Sequence, residues 1–312
     1  LALIDVSLLR SAAAAAAGHQ SHPGATLYLV ATPIGNRADL TLRALHLLQR
    51  ADCVACEDTR VTAQLLAHYG VPHKPLLAVH AHNENEAAQR VCERLAAGDA
   101  VAFVSDAGTP GVSDPGARLV AAAVAAGFAV VPIPGPSSAL AALSVAGDAA
   151  GGAFVFQGFL PAKGAERQAA LQAACADART QILFEAPHRI RGLLQDLAAA
   201  APQRRLTVAR ELTKQFESVT TLAAAEAPAW LAADANRERG EFVLVLHAAP
   251  VAAAASAELP AAAEHCLAVL QRELPLKQAV ALAAEISGAP RKALYQRALQ
   301  RRGEGRDIAA ED

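Results

Sequence analysis

The stretch FVSDAGTPGVSDPG, Phe103 to Gly116, decides how the rest of the chain is read. It begins in the last two residues of the apolar run AVAFV and then gathers two Ser-Asp pairs, three glycines and two prolines. Proline fixes φ and removes a backbone donor, and glycine readily turns left-handed, so the segment can continue neither a strand nor a helix. It reads as a loop of one shape at the end of a buried strand. Gly108 and Gly111 let its backbone approach a ligand, while Pro110 and Pro115 stiffen it. Asp114, just ahead of Pro115, is placed to cap a helix that begins there. Asp106 has no such local role, and a carboxylate there suits a ligand with ribose hydroxyls, an amino group or positive charge.

Outward from this loop, strand and helix alternate. TLYLVATPIGN is a buried strand ending in a Pro-Gly turn, and DLTLRALHLLQRA is a helix with Asp39 as its cap candidate. DCVACEDTR, KPLLAVHAHNE, AVAFVSDAG and AVVPIPGPSS follow as strands, with helices between them. The pattern predicts a mostly parallel sheet with helices on both faces. Ligands of such sheets bind outside the carboxyl ends of the strands. Those ends are residues 33–36, 57–60, 105–110 and 134–137, so the unusual residues of this half collect on one edge.

A second block, residues 152–247, supplies the strands AFVFQGFLP, TQILFEAPHR, RRLTVARELTKQFE and GEFVLVLH. After the linker APVAAAASAELPAAA comes LPLKQAVALAAEISGAPRKALYQRALQRR, which reads as helix, SGAP turn, helix. Arg291, Lys292, Arg297, Arg301 and Arg302 load the second of these helices, either to dock on nucleic acid or as a solvated basic face. The boundaries expected are a disordered extension over residues 1–24, an N-terminal α/β domain with a parallel sheet over 25–133, a second α/β domain over 134–249 and a helix-turn-helix-like domain over 260–312.

Composition narrows the chemistry. A formal charge of −2 rules out coating nucleic acid by bulk charge, so any such contact needs a local basic patch. Five cysteines make no disulfide framework and suit a reducing compartment. Cys53 and Cys56 lie three apart on a strand and so face opposite sides of the sheet, which favours packing over metal binding. No segment is long and apolar enough to span a membrane. There is no G-x-G-x-x-G, no Walker A loop, no H-E-x-x-H and no G-x-S-x-G, which removes most dinucleotide, nucleotide, zinc and hydrolase chemistry.

Seven ordered motifs carry a resemblance: YLVATPIGNRADLTLRAL, CEDTR, FVSDAGTPGVSDPG, IPGPSSALAALSVAG, FQGFLP, FEAPHR and ARELTK. Together, from Leu27 to Leu246, they resemble the ribosomal small-subunit methyltransferase I family, of the tetrapyrrole methylase fold class. Arg37 departs from it, where an apolar residue is expected. The resemblance implies two α/β domains of the tetrapyrrole methylase type with a small C-terminal helical domain. It implies a cytoplasmic homodimer that moves a methyl group from S-adenosylmethionine to the ribose 2′-hydroxyl of a cytidine in the decoding region of 16S rRNA in the small ribosomal subunit. The loop at 103–116 then becomes a wall of the cofactor pocket, with Asp106, Gly108 and Thr109 as contacts and Pro33 and Ser137 on neighbouring strand ends. Glu57, His188 and Lys214 are the expected catalytic residues, with a proton acceptor for the hydroxyl or cations for RNA phosphates among their roles. A porphyrinoid methylase of the same fold and a non-catalytic ribosome-assembly factor are the competing readings.

Overall fold

A computed structural model describes residues 5–80, 83–249 and 259–307. The first sheet holds β1 (Thr26–Val30), β2 (Cys53–Cys56), β3 (Leu76–Ala78), β4 (Ala100–Val104) and β5 (Ala129–Ile133). Its order is β3-β2-β4-β1-β5 and every pairing is parallel. Parallel strands are covered on both faces and therefore run almost wholly apolar, as AVAFV does. On one face lie α1 (Val6–Ala17), α2 (Leu42–Arg50) and α3 (Thr59–His68), which bring Ala13, Leu45, Leu48 and Leu66 against Tyr28 and Val30. On the other lie α4 (Glu84–Ala96) and α5 (Ala117–Ala125), with Val91, Leu95, Leu119 and Ala123 against Leu27 and Phe103. Cys53 belongs to the second of these cores and Cys56 to the first, the opposite-face arrangement that their spacing predicts.

Two expectations fail here. The disordered extension over residues 1–24 is overturned for the described part, residues 5–24. Asp5 caps α1 by accepting from the amides of Ser7 and Leu8, and Ala13 is fully buried. Alanine is the strongest helix former and its small side chain permits close helix contact, so the Ala-rich run packs on α2 instead of dangling. The cap of α2 is Thr41, whose Oγ1 accepts from the Ala44 amide at 3.1 Å, and Asp39 sits in the short 3-10 turn before it. Leu40 is already extended, so the helix can only start after it.

The second sheet contains β6 (Phe154–Phe159), β7 (Thr180–Glu185), β8 (Arg205–Arg210), β9 (Ser218–Ala223) and β10 (Phe242–Leu246), in the order β6-β7-β10-β8-β9. Only the β6–β7 pairing is parallel; the other three are antiparallel. The segment read as one strand, RRLTVARELTKQFE, ends at Arg210, because Glu211 and Thr213 take the left-handed φ values 53° and 66° and turn the chain back as β9. Ala139, Ala142 and Ala146 of α6 (Ser138–Ala146) pack on one face of this sheet. The other face is covered by α7 (Gly164–Ala176), α8 (Ile190–Ala200) and α9 (Ala227–Ala232), with Leu171, Leu193, Leu197 and Leu231 buried. Arg204, only 7% exposed, ties this half together. Its guanidinium donates to the carbonyls of Cys175, Asp177 and Arg179 at 2.9–3.1 Å and, through Nε, to that of His247 at 3.0 Å.

Both sheets belong to one compact unit that ends at Ala248. A second unit follows, with α10 (Ala261–Glu273), α11 (Leu276–Ser287) and α12 (Arg291–Asp307) around Leu267, Val280, Ala283, Leu294 and Ala298. The expected turn is present: Gly288 closes α11 at φ +68°, and Pro290 precedes α12. Ala261 to Ala263, read as linker, form the first turn of α10, and residues 250–258 of that linker lie outside the described residues. Among the described residues no helix is long and apolar enough to cross a membrane.

Candidate active site

The loop after β4 is fastened at each end. Thr32 and Gly108 exchange backbone hydrogen bonds of 2.9 and 3.0 Å, and Thr109 Oγ1 donates to the Pro136 carbonyl at 3.0 Å. Gly108 holds φ +82°, which glycine adopts without strain. At the far end Glu84 Oε1 accepts from the amides of Gly116 and Arg118 at 2.9 and 3.0 Å. Glu84, not Asp114, therefore caps α5. Gly116 stands at φ +131° against the Phe103 ring, so a side chain there would collide with the core.

Released from capping, Asp114 lines a cavity of about 340 Å³ at the carboxyl ends of the strands. The first sheet and its loops contribute Ile34, Gly108, Thr109, Ser113 and Ser137, and the second contributes Phe159, Phe184, Glu185, Leu212 and Glu241. Ser137 also caps α6 by accepting from the Leu140 amide. Ser113 is held at a left-handed φ of 66°, an unusual conformation for a serine and one that clusters at ligand sites. Phe159 and Phe184 meet edge to face with centroids 5.5 Å apart, which gives the cavity an aromatic wall.

The electrostatics of the lining are one-sided. It holds three carboxylates, Asp114, Glu185 and Glu241, and no lysine or arginine. Glu185 is already matched by Arg189 at 3.0 Å, Arg167 at 3.4 Å and the Ala186 amide at 3.0 Å. Glu241 is matched by Lys214 at 3.0 Å. Asp114 has no ion pair among the described residues. Burial, then the negative charge of Glu57, pushes its carboxyl up to about 6; the Ser105 hydroxyl opposes this and Asp106 adds to it. A carboxylate kept in that state is a ready partner for a cation.

The expected site residues divide. Gly108, Thr109 and Ser137 line the cavity, whereas Pro33 and Asp106 do not, and Ile34 takes the place given to Pro33. Asp106 does act locally, since its Oδ1 accepts from the Asp58 amide at 3.0 Å and so joins the turns after β2 and β4. Glu57, also outside the lining, is half-buried beside it, and burial followed by the charge of Asp106 raises its pKa. Asp58 is the carboxylate that pairs with Arg60, at 2.7 Å. His188 is exposed and lies outside the lining, although its neighbour Pro187 is part of it. Lys214 sits 3.0 Å from both Glu211 and Glu241. Burial works against its charge, but the two carboxylates outweigh that and raise its pKa, so it is a cation at neutral pH and cannot accept a proton. Arg210 donates to the carbonyls of Phe216, Asn236 and Arg239 and so clamps loops instead of pairing with Glu211.

Sequence reasoning passes over Asp114 as a ligand contact because Pro115 gives it the local signature of a helix cap. Phe159 and Phe184 lie inside quoted motifs but read only as strand. Glu241 has no signal at all, since its partner Lys214 is 27 positions away in sequence.

Comparison with known proteins adds the chemistry. Tetrapyrrole (Corrin/Porphyrin) Methylases match residues 26–228, and the RsmI C-terminal HTH domain matches residues 257–302. Ribosomal RNA small subunit methyltransferase I of Neisseria meningitidis serogroup A is 50% identical over 276 residues, 88% of this chain and 94% of that protein. The protein of the same name from Pseudomonas aeruginosa is 48% identical over 279 residues, 89% of this chain and 98% of the relative. This chain belongs to the ribosomal RNA small subunit methyltransferase I family. Solved structures of cobalt precorrin-4 methyltransferase (TM-score 0.54, 18% identity, 71% of this chain and 94% of that one) and diphthine synthase (TM-score 0.54, 16% identity, 71% and 90%) share its fold.

Membership in the family bears out the tetrapyrrole methylase fold with a C-terminal helical unit, and S-adenosylmethionine as the methyl donor. The residues present fit that molecule. Its sulfonium and ammonium charges suit a lining that is acidic and free of cations, its adenine suits the Phe159–Phe184 wall, and the volume lies in the range of small-molecule sites.

The turns that carry the lining residues Ile34 and Leu212 make one close approach. The Asn36 amide donates to Thr213 Oγ1 at 2.9 Å, and a Cβ on Gly35 would lie 2.5 Å from Lys214 Cγ and 2.8 Å from Thr213 Oγ1. Gly35→Ala is expected to part these turns, to cost about 1–3 kcal/mol of stability by overpacking and to weaken cofactor binding. Urea denaturation with a cofactor titration checks this; a variant equal to wild type in both would remove the clasp from the site.

Proposed function

We propose that the protein methylates the ribose 2′-hydroxyl of a cytidine in the decoding region of 16S rRNA, using S-adenosylmethionine. The observation that carries the reading is the acidic, aromatic-walled cavity at the strand ends, with Asp114, which has no ion pair among the described residues, in its lining. The names of the relatives supply the RNA class, and their identity of 48–50% favours it over a porphyrinoid acceptor. When bound, S-adenosylmethionine supplies an electrophilic methyl group on a sulfonium.

The chain's own residues divide the work. Gly108, Thr109, Ser137 and Ile34 shape the pocket, and Asp114 faces the donor's positive charge. Pro33 and Asp106 act one step back, by fixing the turns that carry Ile34 and Glu57. Glu57, with its raised pKa, takes the proton of the hydroxyl; a placed base adds roughly 10²–10⁴-fold to such a step, and alignment of the reacting groups supplies much of the rest. Lys214 and His188, which like Glu57 are not part of the cavity lining, serve the RNA, Lys214 as a fixed cation near a phosphate. Such contacts position a substrate without reading its sequence. A homodimer is supported by Val124, Leu140, Val145 and Phe154, large apolar side chains that are 47–59% exposed in the single chain. The enzyme works in the cytoplasm, with the ribosomal subunit as partner.

The test is transfer of tritium from labelled S-adenosylmethionine to small ribosomal subunits from cells lacking the enzyme, with the modified nucleotide mapped. Label on a cytidine ribose is expected. Cofactor binding without transfer to any subunit RNA would sink the RNA reading.

A further inference from the structure

The C-terminal unit carries a groove that the catalytic site does not use. It has a volume of about 630 Å³ and lies between α11 and α12, lined by Lys277 and Val280 on one side and Arg291, Lys292, Tyr295 and Leu299 on the other. Residues 291, 295 and 299 follow one another at the four-residue spacing that makes a stripe along a helix, while Leu294 and Ala298 turn into the core. Tyr295 is 39% and Leu299 47% exposed, so the groove has a wet apolar floor with an aromatic ring.

Its charges are of one sign, and they are unspent. Lys277, Arg291 and Lys292 are exposed and have no ion pair among the described residues. Arg297, on the same helix, is different: its Nε donates to Glu264 on α10 at 2.7 Å, so it serves the fold of the unit. The basic side chains described on α12 thus divide into a structural arginine and a cationic rim with no ion pair among the described residues. In a chain whose formal charge is −2, such a rim is a local feature and not a consequence of composition.

We propose that this groove binds a segment of single-stranded RNA, with an unpaired base stacked on Tyr295 over Leu299 and Val280, and flanking phosphates on Arg291, Lys292 and Lys277. Aromatic platforms beside cations are how proteins hold single strands, because every base has a π-face and every linkage a charge. An A-form duplex does not suit the site. Its major groove is too deep and narrow for side chains to read, and its bases are stacked away from a concave acceptor. An acidic peptide would satisfy the three cations but leave Tyr295 and Leu299 wet. Identification of the physiological strand as ribosomal rests on the function proposed above; the groove's preference for an unpaired strand does not.

The experiment is fluorescence anisotropy of the full chain with a labelled ten-nucleotide single-stranded RNA at 0.1 M salt, and with the same sequence as a duplex. Single-strand binding is expected to be the tighter. Tyr295→Ala should weaken it about tenfold, the low end of one lost base stack, and Tyr295→Phe should keep it. Arg291→Gln with Lys292→Gln should lower the salt slope by about 0.7 for each phosphate no longer neutralised. S-adenosylmethionine affinity should be unchanged in all of them, since they lie outside the catalytic cavity, and circular dichroism would verify the helices. Wild-type RNA affinity in Tyr295→Ala would overturn the proposal, as would equal affinity for the duplex or displacement of the strand by polyglutamate at equal charge. Loss in Tyr295→Phe equal to that in Tyr295→Ala would also overturn the stacked base. Strand binding without methyl transfer to small subunits would instead overturn the ribosomal target and leave the groove standing.

Discussion

Asp114→Asn is expected to weaken S-adenosylmethionine binding ten- to a hundred-fold and, in the same protein, to raise the melting temperature. The two effects share a cause. Asp114 is partly buried beside Glu57 and Asp106, and its carboxyl titrates at about 6 instead of the ordinary 3.8. A raised acid means that the folded chain holds the negative charge less readily than the unfolded chain does. Folded protein therefore binds more protons between the two values, and stability falls as pH rises through that window. Above about pH 6 the penalty is fully present, and the neutral amide relieves about 1–3 kcal/mol of it. The same charge is what a sulfonium or ammonium would meet, and losing one partner of a buried charge pair costs a binding site about 2–5 kcal/mol, which partial exposure brings toward the lower end.

The pH dependence separates this account from a merely structural one. Wild-type affinity should drop as pH falls through about 6, because protonation removes the charge. In Asp114→Asn that limb should flatten, leaving only the contributions of Glu57 and Asp106, which are also raised. Calorimetric titrations from pH 5 to 8 with parallel thermal melts decide it. Equal affinity, or an unchanged pH profile in the variant, would take Asp114 out of the cofactor site.

Arg204→Leu is expected to give the largest loss of stability, about 3–5 kcal/mol. Its guanidinium is buried, has no carboxylate partner among the described residues and is satisfied by backbone carbonyls of five residues, among them the last turn of α7 and its cap. Leucine would fill the space but leave those acceptors without the guanidinium, only the Arg179 carbonyl keeping a side-chain donor in Gln181, and the negative end of a helix would lose its counter-charge. For a domain of this size the melting temperature should fall by roughly 6–20 °C. Arg204→Lys should recover only part of it, since an ammonium cannot reach acceptors spread around a planar fork. A shift under 2 °C in Arg204→Leu would show that water takes over those carbonyls.

Local chemistry is readable in the sequence where neighbours in the chain are neighbours in space. The alternation of strands and helices, the collection of loops at one edge, the opposed faces of Cys53 and Cys56 and the SGAP turn all depend on periodicity within a few residues. What stays hidden depends on partners far apart. Asp114 carries the signature of a cap, but Glu84, thirty positions earlier in sequence, does the capping. Lys214 looks like a possible reacting group until Glu211 and Glu241 close on it. Strand β9 is hard to see because an edge strand with half-buried threonines lacks a strong alternation, and α1 because an alanine run resembles low-complexity sequence until a helix packs on it.

The fastening of the loop at 105–116 has a thermodynamic consequence. It is tied to the segment just after β1 through Thr32, to the turn before α6 through Pro136, and to α4 through Glu84, so its ordering entropy is lost when the chain folds and not when a ligand arrives. Association should then be a single fast phase with no slower isomerisation behind it. Its heat-capacity change should report apolar area covered by the ligand and nothing from a coil becoming ordered.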